Sequence, residues 1–189
     1  YKWLVTYPPR EMNGFMVPGW LATGPEVHPS DLEFARAFEQ SRRARNRGKD
    51  STHSVSPLVY VAQGARHGLR LSTLTAAARL SMQPAPDGED VTRMLEMQCL
   101  RATIDRDLFF GLLDRYDPDV ATFTYYPTDA VAHRAWKYFE PDKFGGLKEE
   151  GRDLWDVIPA TYRQADDILG ELRGRLPETA HIVLLSDHG

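Results

Sequence analysis

The chain is poor in cysteine, in long apolar runs and in surplus positive charge, and each shortage closes a route. Its one cysteine, Cys99, has no partner within the chain, so no internal disulfide framework holds the fold. No apolar stretch approaches the ~18–20 residues that cross a bilayer. The formal net charge is -4, opposite in sign to the basic footprint of a nucleic-acid binder. Neither an internal repeat nor a low-complexity tract breaks the 189 residues, a length that suffices for one domain with a sizeable core. An initiator Met and a signal peptide are also lacking. Tyr1 opens inside what reads as a strand, and the chain stops at Gly189, one residue past an Asp-His pair. Both ends therefore read as internal to a longer protein, cut at its active site, and the compartment is unreadable from this piece.

What the chain does carry is an alternation of strand-like and helix-like stretches. Trp3-Leu4-Val5-Thr6-Tyr7 reads as a strand closed by Pro8-Pro9. Residues 10–30 are loop-like, yet Met12, Phe15, Met16, Val17, Trp20 and Leu21 predict a loop folded over the core or over a site mouth. Ser30 and Glu33 form a capping-box pattern ahead of a helix from Asp31 to about Asn46. The following basic run, Arg42, Arg43, Arg45, Arg47 and Lys49, reads as a solvated face, with an anion-attracting rim as the alternative. Leu58–Ala62 reads as a second strand, Ser72–Met82 as a short helix, and Pro84–Gly88 as a break.

From Asp90 the spacing of Met97, Leu100, Ile104, Leu108 and Leu112 predicts a long helix to about Tyr116, stopped by Asp117-Pro118-Asp119. Val120–Tyr126 is β-branched and aromatic throughout and predicts a strand. Ile158, Tyr162, Ala165, Leu169, Leu172 and Leu176 recur at 4-3-4-3-4 spacing, one stripe of a helix. It leads to a last apolar run, His181–Leu185, which reads as a buried strand. Helices alternating with strands over residues 90–185 are the grammar of a parallel sheet covered by helices.

Two acid-imidazole pairs lie just past predicted strands: Asp129-x-x-x-His133 and Asp187-His188. On a helix a spacing of four puts Asp129 and His133 on one face. Open α/β sheets place their ligands at the carboxyl ends of strands. Carboxylate and imidazole donors suit a zinc-like or manganese-like ion, and pairs converging from two strands suit a two-metal centre. A lone surface Asp-His pair is the alternative for each. His67, in Arg66-His67-Gly68-Leu69-Arg70, is either a histidine facing an anionic substrate or an ordinary loop histidine. His181 reads as structural, Trp136 and Tyr138 as packing aromatics or pocket lining, and Cys99 as an inert packing residue.

The stretch Tyr125-Tyr126-Pro127-Thr128-Asp129-Ala130-Val131-Ala132-His133-Arg134-Ala135-Trp136-Lys137-Tyr138 resembles the D-x-x-x-H block of the type I phosphodiesterase/nucleotide pyrophosphatase branch of the alkaline phosphatase superfamily. Tyr162–Gly170 resembles the helix that follows in that branch, and Ile182–Gly189 its S-D-H-G strand end. Thr6-Tyr7-Pro8-Pro9 and Asn13–Val17 are similar to a T-Y-P-P…N-G-x-x-V stretch of some members. The resemblance covers roughly residues 117–189 well and 1–24 more loosely.

The resemblance implies an α/β fold with a central, mostly parallel sheet flanked by helices, incomplete here. Residues 1–189 would form one partial domain, with 25–115 a helical cap or insertion. It implies a metal-dependent phosphoric ester hydrolase with two divalent ions, zinc or else manganese. Asp129 and His133 would hold one ion, Asp187 and His188 the other. The Ser or Thr nucleophile belongs upstream of Tyr1, a further His beyond Gly189, and the substrate would be a small phosphate ester or nucleotide. The intact protein would then be an enzyme and this piece alone inactive. The alternatives are a phosphotransferase, mutase or sulfatase of the same superfamily, or a degenerate, non-catalytic domain.

Overall fold

The computed structural model describes residues 2, 9–19, 22, 24–37, 56–83, 90–145 and 154–186. Five α-helices are bounded among them: α1 (Pro57–Arg66), α2 (Leu71–Ser81), α3 (Val91–Tyr116), α4 (Pro127–Phe139) and α5 (Val157–Arg175). Short 3-10 turns lie at Ser30–Leu32 and Pro141–Phe144, and residues 33–37 continue the first of these as α-helix. The Trp3–Tyr7 strand, the Arg42–Lys49 basic run, the Pro84–Gly88 break and the Asp187-His188 pair lie outside the described residues.

α3 is the central member. Asp90 caps it, its carboxylate accepting from the Arg93 amide at 2.8 Å. It ends where Asp117 turns left-handed at φ 41 ahead of Pro118. The helices α2, α4 and α5 all pack on it, and α4 packs on α5. One core joins Ile104, Leu108, Phe109 and Leu112 of α3 to Val17, Leu32, Phe34 and Leu69, and to Ile168 of α5. A second joins Val91 to Val131 and Ala135 of α4 and to Val157 and Ile158 of α5.

The N-terminal loop is fastened to this bundle. Phe15 packs on Phe109 and Tyr116, with ring centroids 6.3 and 5.6 Å away, which supports the core-covering reading of residues 10–30. Arg36, fully buried, donates to the carbonyls of Gly24 at 3.2 Å and Gly19 at 3.0 Å, and also to that of Ala22. The Ser30–Glu33 capping box does not form; Pro29 takes the N-cap position and Ser30 lies inside the turn.

Asp107 of α3 does for α2 what no residue at α2's own start does. Its buried carboxylate accepts from the Arg70 amide at 3.1 Å and the Thr73 hydroxyl at 2.5 Å. Arg106 saturates the other oxygen at 3.0 and 2.7 Å. A carboxylate at a helix N-terminus satisfies amides that the helix itself leaves unpaired.

The predicted α/β architecture is overturned. Among the described residues there is no sheet; strand-like pairing amounts to isolated bridge residues, Met16 with His28 in an antiparallel bridge with N···O distances of 2.6 and 2.9 Å, and Pro18. Leu58–Ala62 is helical: Pro57 sits in the first turn, where its missing N–H costs nothing, and the turn brings Tyr60 against Phe34 at 5.7 Å. Residues 121–126 carry no regular structure. Phe123 stacks on Phe109 at 5.1 Å, and the Tyr125 hydroxyl donates to the Thr161 carbonyl and to Gln164 Oε1 at 2.7 and 2.9 Å. Residues 181–186 are irregular and exposed, Val183 at 73% and Leu185 at 83%. β-Forming composition is not enough: a strand also needs a second backbone in strand register to pair with its amides and carbonyls.

The α5 stripe holds in part: Ile158 is buried and Leu172 packs against the first core, but between them the inward face is shifted by one residue. Val157, Ile158, Thr161 and Ile168 are buried, whereas Tyr162 is 59% exposed. Polar contacts set this rotation. Gln164 Nε2 donates to the Cys99 carbonyl at 2.8 Å and to Thr103 Oγ1 at 3.1 Å, which holds the Gln164 side of α5 against α3.

Candidate functional site

The D-x-x-x-H block folds as the start of α4. Pro127 enters at the first position, and Asp129 falls in the first turn, where the helix dipole favours an anion. The turn of the helix then brings His133 Nε2 to 3.2 Å from Asp129 Oδ1. Both side chains face outward, His133 at 72% and Asp129 at 46% exposure. The opposite face, Pro127, Val131 and Ala135, is buried against α3 and α5.

The outward face continues past the pair. At 4-3-4 spacing from Asp129 come His133, Trp136 and Glu140. The Trp136 indole donates to Glu140 Oε2 at 2.7 Å, and Lys143 donates to Glu140 Oε1 at 2.7 Å. These two donors, Lys143 foremost, hold the Glu140 carboxyl below its ordinary range. Phe139 adds an edge-to-face contact to Trp136, with centroids 5.7 Å apart. Trp136 is thus an exposed member of this face, while Tyr138 packs inward against the second core. Glu140 was not among the sequence candidates, although counting on from Asp129 at helical spacing finds it.

The expected two-metal centre is overturned. Among the described residues no group of three or more His, Cys, Asp or Glu side chains converges to hold a metal ion. Asp129 and His133 are two donors, against the three or four protein ligands that a resident zinc takes. The paired ions, zinc or manganese, do not fit them. The hydrolase reading goes with the ions, as do the metal-dependent enzyme and the phosphate-ester or nucleotide-like substrate: each needed two strand ends of one sheet to bring the acid-imidazole pairs together, and the described residues form no sheet. No described helix is long and apolar enough to cross a membrane.

Two of the remaining candidates, His67 and Cys99, are packed into the fold. His67 is buried and stacked on Phe34, with centroids 5.4 Å apart. Cys99 is partly buried on α3, and burial pushes its thiol above the ordinary range, so little reactive thiolate forms. His181 is exposed at the start of the 181–186 segment. An apolar groove runs between residues 12–17 and 118–122, with Met12, Phe15 and Val120 among its lining.

With this geometry in view, the chain has a clear kinship. The model of the type I phosphodiesterase / nucleotide pyrophosphatase family matches residues 12–189, and the chain belongs to that family. No curated protein and no solved structure matches it.

Proposed function

We propose that this chain works as a binding module of its family, and that the outward face of α4 is the surface it binds with. The observation that carries this reading is the single row of Asp129, His133, Trp136 and Glu140, opposite a face anchored in the core. Carboxylate acceptors and an imidazole beside an exposed indole offer a partner both polar contacts and an apolar platform. Anchoring on α3 and α5 holds the row rigid, which lowers the ordering cost of binding.

Asp129 and His133 form the polar end of that row, and Asp187 and His188 would join them as one recognition set, with no metal ion attached to it. It is tested by ring-to-ring contacts of the histidines in magnetic-resonance spectra of the full chain. The expected result is a contact between the His133 and His188 rings that Asp129→Ala weakens. If the two rings make no contact, the four-residue set is wrong.

A further inference from the structure

We propose that His67 is an acid-released latch that fastens the Ser30–Leu32 turn to the junction of α1 and α3. The ring lies at the C-terminal cap of α1, with its side chain entirely buried. It is stacked at 23° on Phe34, two residues beyond the turn it fastens. Arg115 Nη1 of α3 stands 3.4 Å from His67 Nδ1 and donates to Asp31 Oδ2 at 3.0 Å. Asp31 belongs to the Ser30–Leu32 turn, so one guanidinium ties that turn to the imidazole.

The tautomer follows from the neighbours. A guanidinium only donates, so Nδ1 must accept and the proton sits on Nε2. That Nε2 faces Asp31 Oδ2 at 3.5 Å without completing a hydrogen bond, and Asp31 Oδ1 is likewise buried without a hydrogen-bond partner. The neutral latch is therefore incompletely bonded on the Asp31 side and fully committed on the Arg115 side.

Protonation inverts this. A proton on Nδ1 sets two cationic donors face to face at 3.4 Å, and Arg115 must leave. Arg115 has somewhere to go, since its side chain is 44% exposed and already lies over the Tyr116 ring at 5.2 Å. Its departure also breaks its bond to Asp31. The imidazolium can regain only Asp31, at a distance that needs the turn to shift. The charged groups facing the ring are Asp31 from the turn, Arg115 from α3 and Arg66 from α1. Burial lowers the proton affinity of His67, Asp31 raises it, and the two arginines lower it again. Acid thus releases the turn at a pH below the ordinary histidine midpoint.

The test is a histidine ring titration of the full chain, with amide exchange read at Leu32. In the wild type we expect His67 to titrate below 6.5 from the Nε2–H tautomer, and Leu32 to lose protection across the same midpoint. Arg115→Gln should raise the midpoint, and Asp31→Asn should lower it. His67→Phe keeps the stacking and should make Leu32 protection independent of pH over this range. A wild-type midpoint at or above 6.5 overturns the latch, as does a Leu32 amide that stays protected through it. Should His67→Phe not fold, Arg115→Gln decides alone: an unmoved midpoint overturns the proposal.

Discussion

Gly111 of α3 meets the backbone of His67 so closely that a Cβ on it would stand 2.1 Å from the His67 carbonyl oxygen. Gly68, at φ 101, completes the approach from the other side; a Cβ there would lie 2.8 Å from the Gly111 Cα. The end of α1 therefore crosses α3 through a contact that only glycine permits. Gly111→Ala must push two backbones apart, and overpacking of this kind costs about 1–3 kcal/mol or more. We expect a drop of at least that size in urea unfolding; an unchanged midpoint would show that the two segments do not touch.

Asp107 predicts a different loss. Asp107→Ala leaves the Arg70 amide and the Thr73 hydroxyl without their acceptor and Arg106 without its buried counter-charge. Removing one member of a buried charged network costs roughly 3–5 kcal/mol. Thr73→Val removes one hydrogen bond and should cost about 1 kcal/mol. If the two variants lose equally, the carboxylate is not the organising group.

Stability should fall with acid in two separate windows. His67 binds its proton less readily when folded, so the native state prefers the neutral ring. Its contribution is full above 6.5 and declines as pH drops from there toward the lowered folded midpoint. Glu171 is held below the ordinary carboxylate range, first by its bond from Arg70 and then by Arg106 and Arg175. Its contribution is present above about 4.5 and is lost as pH falls through the lower folded value. Thermal midpoints across pH 3–8 should show both declines. Glu171→Gln should remove only the lower one, and loss of the upper one in that variant would contradict the assignment.

Exposed aliphatic residues give the opposite kind of expectation. Val183 and Leu185 touch little, so Val183→Lys and Leu185→Lys should change unfolding free energy by less than about 0.5 kcal/mol. They should raise solubility, because an uncharged apolar run is an association hazard. A large loss of stability in either variant would mean that the segment is packed in solution.

The helical part of this architecture was legible where several signals agreed. α3 had an acidic N-cap, a three- and four-residue stripe and a proline stop. The Asp129–His133 register followed from spacing alone. The strands were misread because β-branched and aromatic content marks side chains that suit a sheet, and says nothing of whether a neighbouring backbone is there to pair with. The α5 face was misassigned only at Tyr162, and for another reason. A hydrophobic stripe predicts which residues prefer burial, but Gln164, reaching Cys99 and Thr103, set which side turned inward. At the site, spacing placed Asp129 and His133 side by side on one helix face, whereas the two-metal centre expected of them depended on a sheet that the described residues do not form.

Arg36 gives the N-terminal loop a second fastening of another character. A guanidinium stays charged at any pH the fold survives, so its grip on the Gly19, Ala22 and Gly24 carbonyls does not respond to acid. Mild acid would therefore loosen the Ser30–Leu32 turn from α1 and α3 while Arg36 keeps Gly19, Ala22 and Gly24 bound to the segment that carries the turn, so the two would shift as one unit.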